Sequence, residues 1–328
     1  ANIMSVSVFI VSSIVLYSIA CVVYVYRWRG QARYASFKQY LRKSWPVFAP
    51  LNCLLYMATR AWARKPVLNA NYLQNIAVLR DNWQLIRDEA LALQATGAFD
   101  DIKTPGSAGY YDVGFRTFYK RGWSKFYLTW YGTHHRSAQR LCPKTVALLS
   151  QVPQVRGAMF SILPAGSELS LHSDPMASSL RYHLGLSTPN SAKCYINVDG
   201  EHCIWLDGRD FVFDETYPHY AHNGTDAARL ILMCDVERPM RLVGRIFNLL
   251  YRFIIRGTVV PNSAEDKRGI FSTLFAMIAP LRQKTLHLRS THRRLYKTLK
   301  LILNTSLVVL LLIILLTFFS LFEHLLLK

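Results

Sequence analysis

The chain has 328 residues, 51% of them hydrophobic, and 39 Lys and Arg against 20 Asp and Glu, a formal net charge of +19. That length suits one catalytic domain with further elements attached. The positive charge sits beside uncharged apolar runs, which sets nucleic acid aside as the partner. Six cysteines (21, 53, 142, 194, 203 and 234) show no C-x-x-C spacing, which excludes a zinc finger or thioredoxin-type motif and suits a reducing compartment.

In chain order, residues 1–26 carry no charged side chain. About twenty apolar residues cross a bilayer core, so a transmembrane helix is predicted there. A retained anchor is expected rather than a cleaved leader, because the positive charges follow the run and no small-residue cleavage motif ends it. Arg27, Arg29, Arg33, Lys38, Arg42 and Lys43 follow without an acid. By the positive-inside rule this flank is cytoplasmic, and it suits anionic lipid headgroups. Residues 27–68 are thus expected to be a basic juxtamembrane and interfacial segment. The apolar run within 44–68 is too short to span and is broken by Pro46 and Pro50. It reads as an interfacial or re-entrant piece, with a buried core helix as the alternative.

A domain over 69–240 comes next. Leu79, Trp83, Ile86, Ala90 and Leu93 recur at helical spacing, predicting an amphipathic helix over 79–95. The aromatic stretch 115–132, interleaved with Lys and Arg, reads as the core and wet face of strands or as a grip for an acidic, partly apolar ligand. From 157 to 238 the period becomes two: Leu180, Tyr182, Leu184 and Leu186 alternate with Arg181, His183 and Gly185. Asp199-Gly200 and Asp207-Gly208 mark tight turns. Short strands so connected predict an antiparallel barrel or jelly roll. At 241–256 Arg241, Arg245, Arg252 and Arg256 share one helical face opposite an apolar one, so 241–300 is expected to hold basic amphipathic helices lying in a membrane surface. The bland alternative is a surface helix packed on the barrel. Seven further basic residues lie within 282–300, and the uncharged run 301–322 predicts a second transmembrane helix over 301–323. The fold class expected is an α+β membrane protein, with a jelly-roll catalytic domain flanked by helices and one transmembrane helix at each end.

Chemistry concentrates at LHSDP (171–175) and DETYPHYAHN (214–223). On a strand, His172 and Asp174 can point to the same side. Two imidazoles and a carboxylate on one face of a metal form the 2-His-1-carboxylate triad that suits non-haem Fe(II). His219 and His222 compete to be the second imidazole, and an H-x-D pair alone is a weak signal. Arg229 begins a later strand and could clamp a carboxylate through two hydrogen bonds, or form a structural ion pair with Asp214 or Glu215.

The ordered set SILPAGSELSLHSDP, LRYHLGL, FDETYPHYAHN and RLILMCDVERP resembles the aspartyl/asparaginyl β-hydroxylase family of Fe(II)/2-oxoglutarate dioxygenases. Residues 70–240 as a whole are similar to its LpxO-type lipid A 2-hydroxylases. The resemblance implies a double-stranded β-helix (cupin-like) domain with iron ligands His172, Asp174 and His219, leaving His222 a supporting or structural role. It implies that Arg229, assisted by Ser161, binds the distal carboxylate of 2-oxoglutarate, and that Arg181 and His183 line the pocket near that co-substrate. The activity implied is hydroxylation at C2 of a lipid A acyl chain, with O2 consumed, at the cytoplasmic face of a bacterial inner membrane. The alternatives are a membrane-tethered aspartyl/asparaginyl protein hydroxylase and a non-catalytic lipid-binding jelly roll. Membrane and a phosphorylated, acylated lipid are the partners expected, and no obligate protein partner is called for.

Overall fold

The computed structural model describes residues 3–101, 103–112, 114, 122–302 and 306. It comprises two compact units, 1–272 and 273–328. The first opens with α1 (Ile3–Arg27), α2 (Phe37–Lys43) and α3 (Ala49–Ala58), then β1 (Val67–Leu68), α4 (Ala77–Asp81), α5 (Trp83–Ala95) and α6 (Ala98–Asp101). The strands β2 (Ser124–Trp130) and β3 (Thr133–His134) precede α7 (Arg136–Leu141) and α8 (Pro143–Ser150). Then come β4 (Val155–Leu163), β5 (Glu168–His172), β6 (Ser179–Ser187), β7 (Cys194–Val198), β8 (Glu201–Ile204), β9 (Asp210–Phe213), β10 (His219–Asn223) and β11 (Arg229–Glu237). Helices α9 (Leu242–Ile255) and α10 (Ile270–Thr291) close the described elements. The described part of the second unit is helical, made of the rest of α10 and residues 293–302.

Phe9–Arg27 within α1 is the only helical stretch among the described residues long and apolar enough to cross a membrane. The second span expected at 301–323 falls almost wholly outside the described residues. The helix expected over 79–95 is two helices, α4 and α5, meeting at Asn82. Asn82 Nδ2 donates to the Val78 carbonyl at 2.9 Å, a local hydrogen bond of the kind that competes with helix continuation.

Among the described residues, eleven strands form two sheets, ordered β1-β9-β6-β11-β4-β2-β3 and β5-β10-β7-β8. Every pairing within them is antiparallel. Two antiparallel sheets with these crossovers are a jelly roll. Asp199 (φ 53°) and Gly200 (φ 97°) make the expected β7–β8 turn, in the left-handed conformation such two-residue loops require. The larger sheet is buried on both faces. Leu180, Tyr182, Leu184, Leu230, Leu232 and Cys234 point to α5 and α8, while Met159, Leu163, Ile231 and Met233 face the smaller sheet's Cys194, Ile196 and Val198. Two-sided burial lets β6 and β11 carry apolar residues on one face and site chemistry on the other.

The helices around α1 are built the other way round. Helix α9 packs on the domain through Gly244 and Asn248 and turns its apolar stripe outward, with Val243 76% and Phe253 75% exposed. Helix α3 packs on α1 at Cys21, Ala49 and Cys53, and Leu54 and Met57 stay exposed. Phe247, Tyr251 and Ile255 of α9 are partly buried against the domain, so α9 packs on it while its most apolar stripe faces outward.

Candidate metal centre

Strands β5 and β10 are antiparallel neighbours, with His172 opposite His219 in register. The ligand atoms of His172, Asp174 and His219 all lie within 4.8 Å of one another. Strand β5 ends at His172, so Asp174 does not reach the site by strand alternation as expected. Its position comes from two backbone bonds: the Ser173 N–H donates to Lys43 O at 2.9 Å, and its own N–H donates to Glu215 O at 2.8 Å.

Both imidazoles are held in the same way. His172 Nδ1 lies 2.9 Å from Ser170 O, and His219 Nδ1 lies 2.9 Å from Tyr217 O. A carbonyl only accepts, so each Nδ1 carries the proton and each Nε2 keeps its lone pair, the tautomer a metal ligand needs. Burial and the adjacent His172 bring the pKa of His219 down to about 4, leaving it neutral near pH 7. His172 Nε2 is 3.6 Å from Asp174 Oδ1, while Arg181 Nη2 holds the other carboxylate oxygen, Oδ2, at 3.2 Å. Two fixed imidazole nitrogens and one free carboxylate oxygen fit a divalent first-row metal and leave further coordination positions for other ligands.

Arg181, expected to line the co-substrate pocket, does line the cavity, and its guanidinium is committed to acids there. It pairs with Asp174, with Glu215, and with Asp235 at 3.3 Å. Three carboxylates around one guanidinium leave this buried corner two charges short of neutrality if all are ionised. Burial, with the nearby Asp174 and Asp235, pushes Glu215 up to about 8 despite its ion pair with Arg181. A dication at the triad would offset that surplus.

Arg229 is the opposite case. It is 1% exposed, and among the described residues no carboxylate pairs with it and its Nε has no partner. Asp214 is taken by Arg29 and Arg238, and Glu215 by Arg181, so the structural ion pairs open to Arg229 on sequence grounds do not form. Its guanidinium lies 4.2 Å from the Trp205 ring centroid and 5.6 Å from that of Trp123, with Nη2 donating to Ser161 Oγ at 3.4 Å. Burial without a counter-anion brings its pKa down to about 9. Such a group favours an incoming carboxylate. His183 stands beside it: Trp205 Nε1–H donates to His183 Nδ1 at 3.2 Å, so the ring proton is on Nε2, which has no partner among the described residues.

His172, Asp174, His219, Arg181, His183, Ser161 and Arg229 line one cavity of about 680 Å³. His222 is not among them. It lies on the other face of β10 from His219, its ring 5.7 Å from Tyr195. Glu215, Asp235, Trp123 and Trp205 complete the walls; Glu215 and Asp235 stand within the motifs FDETYPHYAHN and RLILMCDVERP, but no individual site role was read for any of the four. The aromatic stretch at 115–132 reaches the cavity through Trp123 and Trp130, and residues 115–121 lie outside the described set.

A jelly roll presenting two imidazoles and a carboxylate into one cavity is the architecture of a mononuclear metalloenzyme. Residues 80–239, just under half of the chain, match the aspartyl/asparaginyl β-hydroxylase family. Relatives include the ornithine lipid ester-linked acyl 2-hydroxylase of Rhizobium tropici, 36% identical over 127 residues, 38% of this chain and 45% of that protein. The human aspartyl/asparaginyl β-hydroxylase is 31% identical over 179 residues, 51% of this chain and 22% of that protein. The chain therefore spans less than half the length of these two curated relatives. Among solved structures, a Pseudomonas putida prolyl-4-hydroxylase aligns at 15% identity with a TM-score of 0.35, over 56% of this chain and 99% of that one. At that similarity the chain's own strand order defines its fold.

Proposed function

We propose that the protein is an Fe(II)/2-oxoglutarate-dependent dioxygenase that hydroxylates C2 of a fatty acyl chain of a membrane lipid, with lipid A the substrate, at the cytoplasmic face of a bacterial inner membrane. The observation that carries it is the pairing, within one cavity, of an open two-histidine, one-carboxylate triad with a buried arginine that has no acid partner among the described residues.

His172, Asp174 and His219 would hold the iron. Iron bound there would supply the chemistry that couples dioxygen and oxidative decarboxylation of 2-oxoglutarate to succinate and carbon dioxide with insertion of one oxygen into an unactivated C–H bond. Arg229 and Ser161 bind the distal carboxylate, fixing the co-substrate's length against the triad. The Nε2–H of His183 offers a further donor. Arg181 keeps Asp174 Oδ2 engaged so that Oδ1 faces the metal. Trp123, Trp205 and Met233 wall the cavity against water. No general base is required.

Support for a lipid comes from the mouth. The cavity is lined there by Arg42 and Lys43 at the end of α2, by Trp45 just after it, and by Met176, which packs in one cluster with Leu55 of α3. Around it the protein turns outward the apolar faces of α1, α3 and α9, a surface suited to a bilayer interface. The cytoplasmic orientation rests on the acid-free basic flank at 27–43. The Rhizobium tropici relative, an ornithine lipid ester-linked acyl 2-hydroxylase, agrees in reaction and differs in lipid.

The test is full-length protein in detergent with Fe(II), ascorbate and 2-oxoglutarate, with lipid A, an ornithine lipid or an Asp/Asn-containing peptide added separately. Succinate and lipid mass are followed together. Lipid A-dependent succinate with a one-oxygen gain is expected. A gain on ornithine lipid alone replaces the substrate, and a gain on peptide alone replaces the lipid reading with protein hydroxylation. No succinate from folded, iron-loaded protein contradicts the enzyme.

A further inference from the structure

Residues 29–52 lie outside the family match, and a basic flank is expected to face lipid headgroups, yet its second arginine does not. Arg29 is 6% exposed. Its Nη1 donates to Thr216 O at 2.8 Å, and its Nη2 donates to Asp214 Oδ2 at 2.9 Å and Thr216 Oγ1 at 3.0 Å. The guanidinium is sandwiched 3.6 Å from the Tyr217 ring centroid and 3.9 Å from that of Tyr56. Asp214 already holds Arg238 at 2.7 and 2.8 Å, so it is neutralised without a second cation. What Arg29 adds is a grip on the 214–217 turn, whose Tyr217 carbonyl takes the His219 Nδ1–H. Gly30 makes the approach possible: at φ +74° it lies so close to Asp199 that a Cβ would sit 2.4 Å from that carboxylate, which accepts the N–H groups of Gln31 and Ala32.

The same segment reaches the other imidazole. Lys43 Nζ donates to Ser170 Oγ at 3.0 Å, and Ser170 O takes the His172 Nδ1–H. Tyr34 Oη and Ser173 Oγ are 2.8 Å apart, between His172 and Asp174. Asn52 brackets the next turn, with Nδ2 donating to Pro175 O and Oδ1 accepting from Ala177 N–H, both at 2.9 Å.

We propose that residues 29–52, led out of the membrane anchor, are the positioning wall of the metal centre: Arg29 and Lys43 brace the two backbone carbonyls that orient His219 and His172. The inference rests on the metal-centre reading above and adds that the anchor's exit is part of the site. Detaching the domain from its anchor within this segment then removes metal affinity as well as membrane attachment.

The test is Co(II) binding to full-length, detergent-solubilised protein, by calorimetry and by the Co(II) absorption spectrum, beside melting of the metal-free form. Arg29→Ala is expected to weaken Co(II) binding about 10–100-fold, the cost of losing partners beyond the ligands. Arg29→Lys should recover only part, because a lysine keeps the charge without the fork or the ring stacking. Lys43→Ala should weaken binding less, with melting held, since its side chain is only half-buried. Lys38→Ala, an exposed neighbour, should change nothing. If Arg29→Ala does not fold, Lys43→Ala and Tyr34→Phe carry the test. Wild-type affinity and spectrum in the folded variants overturn the inference. Wild-type protein that binds no Co(II), or His219→Ala that binds as well as wild type, overturns the metal centre beneath it.

Discussion

The cavity is lined by two buried arginines and treats them in opposite ways. Arg181 is surrounded by Asp174, Glu215 and Asp235; Arg229 has no acid partner among the described residues and rests on Trp205 and Trp123. Neither corner is balanced alone. The first has surplus negative charge and open nitrogen donors, so it is completed by a cation. The second is a desolvated cation, so it is completed by an anion. Under the proposed function, a molecule with a carboxylate at each end would meet the metal with one and Arg229 with the other.

The contrast can be broken most severely at Arg181. Arg181→Met leaves the buried Glu215 and Asp235 and the half-buried Asp174 without their cation and should destabilise the protein by about 3–5 kcal/mol, read as a melting temperature lower by roughly 10 °C. Arg229→Met should do the reverse to the metal-free protein, leaving melting unchanged or raised because an unpaired buried charge is removed. The same variant should weaken 2-oxoglutarate binding by about 2–4 kcal/mol, on the order of 30–1000-fold; unchanged co-substrate affinity would remove Arg229 from the site. Asp174→Ala should keep the fold, its side chain being 29% exposed. Turnover should fall by at least the roughly 100-fold that loss of an outer partner can cost, and wild-type turnover would strike Asp174 from the ligand set. The smallest effect is expected for Trp205→Phe, which keeps a ring under Arg229 but loses the hydrogen bond to His183. About 1 kcal/mol of co-substrate affinity should go, a few-fold change in a titration.

Much of this was readable from one dimension. The period-two pattern of 180–186 shows which side chains share a face, and the two-residue turn signal at Asp199-Gly200 marks the hairpin. His172, Asp174 and His219 stand in short, ordered motifs. What was not readable follows from long-range packing. The partners of Arg181 come from three distant places, the turn after β5, the turn between β9 and β10, and β11, so nothing near residue 181 announces them. The carbonyls of Ser170 and Tyr217, which set both tautomers, leave no side-chain signature. Charge counting beside α1 could not tell that Arg29 turns inward while Lys38 stays out, because the positive-inside pattern registers charge and not burial. The apolar face of α9 was legible as a stripe, but its outward direction depends on Gly244 and Asn248 making the domain contact.

The most direct measurement is a calorimetric titration of 2-oxoglutarate into the full-length protein with and without Co(II). The two-corner account predicts saturable binding at one site with the metal present and loss of that binding in its absence, since Arg229 holds only one end. Equal affinity with and without metal, or no binding to the metal-loaded protein, would contradict it.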